Sequence, residues 1–176
     1  MKKTLFLLFL LPLSMLAQEM KIFKQDNYAI EYPLDWVMRE SKNNPLTKFF
    51  LFPEAAFKKS FAENINLTMT EESDQIIAIE DLKAATSKDI LSMTSSHTLL
   101  VDRIRKIKDR SVHELILEGV LKAEADQNAL AFRSISHTWI EGKRICVLTF
   151  ICAQSEYKED LSVPLQIMES FRFMKE

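Results

Sequence analysis

Residues 144–152 read Arg-Ile-Cys-Val-Leu-Thr-Phe-Ile-Cys, and no other stretch narrows the folds open to this chain as much. In an extended strand successive side chains alternate between faces, so Cys146, Leu148, Phe150 and Cys152 point one way and Ile145, Val147, Thr149 and Ile151 the other. Both sets are largely apolar, which predicts a strand covered above and below at the centre of a layered domain. Glu141-Gly142-Lys143 is a turn signal, so this strand should pair antiparallel with the one ending at Ile140.

The N-terminus reads as a cleavable secretory signal. Lys2 and Lys3 precede a nearly unbroken apolar run at 5–16, and Ala17 before Gln18 offers a small-residue cleavage point. The run is shorter than the roughly 20 residues of a membrane-spanning helix, and Pro12 interrupts it. The expected organisation is therefore a signal peptide at 1–17 and a single domain at 18–176, with no transmembrane segment in the mature chain. Cutting after Ala17 removes two lysines and no acid, leaving 21 basic against 25 acidic residues and a formal charge of −4. That balance gives no general reason to bind nucleic acid. Export invites disulfides, but Cys146 and Cys152 on one strand would stand about 20 Å apart at about 3.3 Å per residue, beyond the roughly 7 Å that a disulfide tolerates. Both are expected to be buried, unreactive thiols.

Along the chain, Tyr28-Ala29-Ile30-Glu31-Tyr32 predicts a strand that Pro33-Leu34-Asp35 stops and Trp36-Val37-Met38 resumes. Phe49, Phe50, Phe52, Phe57 and Phe61 crowd the next section. They read as a strand and loop tucking aromatics under the core, or as an apolar ligand or partner surface. Residues 64–70 alternate Ile65, Leu67 and Met69 with Asn66, Thr68 and Thr70, a strand wet on one side. The period then changes: Ile79, Leu82, Ile90 and Met93 fall at helical spacing, with Ser95-Ser96-His97 as the exit loop. Strands follow at 112–123 and 129–140, joined by a turn at Asp126-Gln127-Asn128. Ser155 can cap a second helix that restarts near Ser162 because of Pro164, with Pro164, Ile167, Met168 and Phe171 as its apolar stripe and 171–173 as an extended tail. The two helices are expected on opposite sheet faces.

Chemistry is harder to find. Gly119 and Gly142 are the only glycines and stand alone, so there is no phosphate-cradling loop, dinucleotide fingerprint or nucleophile elbow. His97, His113 and His137 show no metal-ligand spacing, although His113 and His137 lie on strands that can be neighbours. Glu71, Glu72 and Asp74 lack the glycine and terminal acid of an EF-hand loop. The basic run at 102–110 has no interleaved aromatics for base stacking and reads as an edge strand guarded by charge, with a patch that docks an acidic partner as the alternative. No catalytic, cofactor-binding or metal-binding residue is assigned, and no cofactor is expected.

Tyr28-Ala29-Ile30-Glu31-Tyr32-Pro33-Leu34-Asp35-Trp36, Glu63-Asn64-Ile65-Asn66-Leu67, the hairpin from Gly142 to Phe150, and Ser170-Phe171-Arg172-Phe173 together resemble the PsbP-like superfamily, including its exported bacterial branch. Lys108-Asp109-Arg110 departs from it at a turn where relatives often carry glycine. The resemblance implies an α+β fold, an antiparallel β-sheet sandwiched between helices (α/β/α), and members that are mostly non-enzymatic. The leading expectation is an exported, periplasmic or extracellular, non-catalytic module that binds another envelope protein. The alternatives are a carrier or chaperone for an apolar ligand, such as a lipid or hydrophobic helix, and an exported hydrolase.

Overall fold

The computed structural model describes residues 19–59, 61–74, 77–92, 94–121, 129–157 and 161–174. The expected signal peptide at 1–17 and the turn at Asp126-Gln127-Asn128 lie outside them. In chain order the elements are β1 (Met20–Gln25), β2 (Tyr28–Pro33), β3 (Trp36–Glu40), β4 (Thr47–Pro53), β5 (Asn64–Met69), α1 (Ile79–Ser92), β6 (Thr94–Ile107), β7 (Arg110–Leu121), β8 (Ala131–Glu141), β9 (Arg144–Ala153), α2 (Ser162–Ser170) and β10 (Arg172–Phe173). Short 3-10 turns at Glu54–Lys58 and Gln154–Glu156 follow β4 and β9.

The strands are antiparallel throughout and form two sheets, of order β1-β2-β10 and β3-β4-β5-β9-β8-β7-β6. The run that opens the sequence argument is β9, the fourth of the seven strands in the larger sheet. Cys146, Leu148, Phe150 and Cys152 are buried as expected. Ile145, Val147, Thr149 and Ile151 are only half-buried, so the expectation of full cover on both faces is corrected. The covered face of β9 meets Ile65, Leu67 and Met69 of β5 in register, and beyond them Phe49 and Leu51 of β4. Onto this face pack Tyr28, Ile30 and Tyr32 from β2 and Ile167 and Met168 from α2. Much of the cover here is therefore a second sheet, where helix alone was expected. The β1–β2 pairing runs on to the Leu34 N–H, which donates to the Glu19 carbonyl at 3.2 Å, and the chain then leaves for the other layer, re-entering as β3.

On the opposite face Leu115, Leu117 and Phe132 form a smaller cluster. Helix α1 packs over β6, β7 and β8, with Leu82 buried and Lys83 Nζ 3.4 Å from Asp102 of β6. Two local expectations are revised. Ser95-Ser96-His97 is the start of β6 rather than an exit loop, with Thr94 Oγ1 3.1 Å from His97 Nδ1. Ser155 caps no helix but sits in the 3-10 turn, which has no side-chain cap; the helix proper begins at Ser162, where the restart was expected.

Hairpin turns set the registers. Glu141 pairs with Arg144, and Gly142 at the first loop position has φ 60°, the arrangement of a II′ turn, which a glycine fits without strain. In the β6–β7 turn the equivalent position is Lys108, with φ 56°, where a Cβ crowds the following carbonyl. Lys108→Gly is expected to raise the urea-unfolding free energy by about 0.5–1 kcal/mol, the relieved strain outweighing the added unfolded-state entropy. Lost with it is one exposed bond, from Lys108 Nζ to the Glu169 carbonyl at 2.8 Å. An unchanged or lower value would mean that bond matters more than the backbone strain.

Candidate functional site

The five phenylalanines singled out in the sequence do not form one surface. Strand alternation sends Phe49 into the core at 0% exposure, where it meets Phe23 and Tyr28 at ring distances of 6.4 and 6.1 Å. Phe50 and Phe52 point to the other face and are half-buried. The 3-10 turn after β4 returns Phe57 onto Phe52, edge to face at 4.7 Å, leaving Phe57 41% exposed. Phe61 is half-buried. Register supplies a member that the sequence reading missed: β3 lies beside β4 with Val37 opposite Phe52 and Arg39 opposite Phe50. The Arg39 guanidinium stands 4.4 Å from the Phe57 ring centre and 5.6 Å from that of Phe52. The signal that could have found Arg39 was its place two residues after Val37 on a strand facing the phenylalanines.

This patch combines what protein contacts favour. A cation over aromatic faces is held by the ring quadrupoles, and the rings present wide apolar area at little entropic cost. Aromatic residues and arginine are the types enriched where proteins meet.

The histidines, by contrast, are drawn apart. His113 faces Thr138 across the β7–β8 ladder and His137 faces Glu114, one step along, so the two side chains point to opposite sides of the sheet. His113 Nε2 lies 2.9 Å from Asp102 Oδ1 and is fully buried. On the other face Glu114, only 3% exposed, is held by Arg103 and Arg105, each at 2.7 Å, with His137 Nε2 3.4 Å away. Burial, reinforced by the positive charge of Arg105, pushes the His137 imidazole down to about 4. Burial alone would raise the Glu114 carboxyl, but the two arginines outweigh it and hold the group below its ordinary value. Among the described residues both histidines are buried, at 0% and 3% exposure, rather than set in an open cleft beside a nucleophile, the geometry that the hydrolase alternative requires.

Cys146 and Cys152 are free and buried; burial raises their thiols to about 12 and about 11, so the thiolate that would react is scarce. Glu72 and Asp74 pair with Arg144 and Lys143. Among the described residues no three His, Cys, Asp or Glu side chains gather as a metal site, and no helix is long and apolar enough to cross a membrane. A cleft of about 1140 Å³ opens at the end that holds the β1–β2 and β8–β9 turns, and Asp26, Lys48, Glu71 and Arg144 are among its polar lining.

No family model matches the chain, and no curated protein matches it. Solved structures do. The solution structure of cyanobacterial PsbP (CyanoP) from Synechocystis sp. PCC 6803 superposes with a TM-score of 0.63 at 13% identity, covering 88% of this chain and 92% of that one. LpqN, involved in cell envelope biogenesis of Mycobacterium tuberculosis, gives a TM-score of 0.61 at 11% identity, covering 89% and 91%. The class is thus an antiparallel α+β domain, and within it the chain has a PsbP-like fold, as the resemblance of its motifs implied.

Proposed function

We propose that this protein is an exported, non-catalytic interaction module that binds another protein of the cell envelope through the Arg39–Phe52–Phe57 patch. The observation that carries the reading is the exposed Phe57 ring, set edge to face against Phe52 and capped by an exposed Arg39, on the half of the sheet away from α1. What sets Phe57 apart from a singly exposed apolar residue is that Phe52 and Arg39 adjoin it in one patch, the kind of surface that marks a contact site. The signal-like N-terminus supports export, and the PsbP-like fold supports a binding role only by analogy.

The alternative carrier of an apolar ligand is less well supported, because the rings it would use divide between the core and the opposite face. An enzymatic role is weaker still, since the two buried histidines point away from each other.

The test pairs Phe57→Ser with Arg39→Glu. Loss of the Phe52–Phe57 and Arg39 ring contacts is expected to lower stability by only about 0.5–1.5 kcal/mol in each variant, leaving both folded, while the protein partner recovered by crosslinking in the envelope is lost from both variants. Capture unchanged by both, or turnover of a substrate by the mature protein, overturns the proposal. Native mass spectrometry that shows an added apolar small molecule, released on denaturation, would instead favour the carrier.

A further inference from the structure

The opposite edge of the seven-stranded sheet carries a second feature that the aromatic patch does not use. Strand β6 is 14 residues long and ends the strand order, pairing only with β7. A row of backbone N–H and C=O groups along its outer side therefore has no strand beside it among the described residues. Edge strands are commonly protected by charge and bulges, and β6 has both: cations at Arg103, Arg105 and Lys106, and register shifts at Thr94/Ser96 and Leu99/Val101. Protection does not explain the rest. Leu99, Leu100 and Ile104 are 43%, 45% and 37% exposed, which is apolar area left at an edge where a purely guarded strand would carry polar residues.

The charges on this edge are unbalanced. The strand's one carboxylate, Asp102, is committed inward to His113 and to Lys83 of α1. Arg103 and Arg105 share the single carboxylate of Glu114, and its third neighbour, His137, is buried and kept neutral. One positive charge is thus in excess on that face, and Arg103 remains 62% exposed. On the other face Lys106 is exposed with no ion-pair partner among the described residues.

Alternation turns this into a pattern for an added strand. Arg103 and Arg105 project on one face and Ile104 and Lys106 on the other. A strand laid beside β6 places its own residues opposite these, and opposite charges across a ladder attract while like charges repel. An antiparallel second copy centred here brings arginine against arginine, with Asp102 already spent. We propose that the β6 edge takes, by strand addition, an extended segment of a partner protein with two carboxylates at alternate positions facing Arg103 and Arg105 and an apolar residue between them facing Ile104. Main-chain hydrogen bonds supply the attachment and the carboxylates its choice. This goes beyond the aromatic-patch reading and does not depend on it.

The probe is a short end-blocked peptide alternating valine and glutamate, compared with one alternating valine and lysine, titrated into the purified protein. The acidic peptide is expected to bind and to slow hydrogen exchange at β6 amides. Added salt should weaken it, and Arg103→Gln, which removes an exposed cation facing a carboxylate while Arg105 stays on Glu114, should weaken it by roughly five-fold, whereas Lys106→Gln, on the other face, should leave it unchanged. Failure of the acidic peptide to bind, equal binding of both peptides, protection away from β6, or indifference to Arg103→Gln each overturns the proposal. Concentration-dependent dimerisation that protects β6 without peptide overturns it in favour of a second copy.

Discussion

Phe171→Ala is expected to lower the urea-unfolding free energy by about 3–5 kcal/mol, as for other fully buried aromatics cut back to alanine. The ring is 0% exposed and sits among Tyr28 at 5.8 Å, Trp139 at 5.4 Å and Phe173 at 5.4 Å, each such pair adding about 0.5–1.5 kcal/mol beyond its buried area. Its position makes the loss more than a cavity. Phe171 joins α2 to β10, and β10 pairs with β2 through Arg172 and Ala29, so the ring ties the small sheet to the large one. Its carbonyl accepts a bond from Arg110 Nη2 at 2.9 Å, and that guanidinium lies 4.9 Å from the Trp139 ring. Phe171→Leu, which keeps most of the volume but loses the ring contacts, should cost less than the alanine variant, about 1.5–3 kcal/mol. Equal losses for the two variants would show that the aromatic stack itself, not the filled volume, holds the layers together.

Acid is the second lever. In the unfolded chain His137 takes a proton near its ordinary 6.5, whereas in the fold burial and Arg105 hold it at about 4. The unfolded state therefore binds more protons in this interval, so stability rises with pH across it. Read downward, stability is complete above 6.5 and is lost progressively to about 4, a fall of about 3 kcal/mol at roughly 1.4 kcal/mol per pH unit. Glu114 adds to the loss from a lower window: its folded value is below the ordinary 4.5, so its contribution is present above 4.5 and disappears as pH drops through the folded value. Urea unfolding followed from neutral pH downward should show both steps. His137→Gln should flatten the curve between 6.5 and 4 and leave the Glu114 step in place. A parent protein with no pH dependence in the upper window would mean that His137 is already charged in the fold.

Much of the architecture was legible because strand alternation is a local property. Ile65, Leu67 and Met69 facing the core, the Gly142 turn, and the shared face of Cys146 and Cys152 all follow from a period of two and one glycine. The helix beginning at Ile79 followed from a period near 3.6. The aromatic patch was only half legible. The cluster of phenylalanines was plain, yet periodicity cannot say which face of a strand another layer will cover, so Phe49 and Phe57 looked alike until one was buried and the other left open. Arg39 became part of the patch through the β3–β4 register, a pairing between segments that no local pattern specifies.

By itself, then, the sequence determined most of the elements, though not β1 or the start of β6, the inward face of β5 and the antiparallel β8–β9 hairpin, since each rests on neighbours a few residues apart and on the stereochemistry of single residues such as Gly142. Tertiary structure alone decided that β2 and β3 part into different sheets, that His113 and His137 point away from each other, and that β6 ends the larger sheet with excess positive charge. Those outcomes depend on which distant strands pair and which faces they bury. That choice minimises exposed apolar area and unpaired backbone over the whole chain at once, and no single segment encodes it.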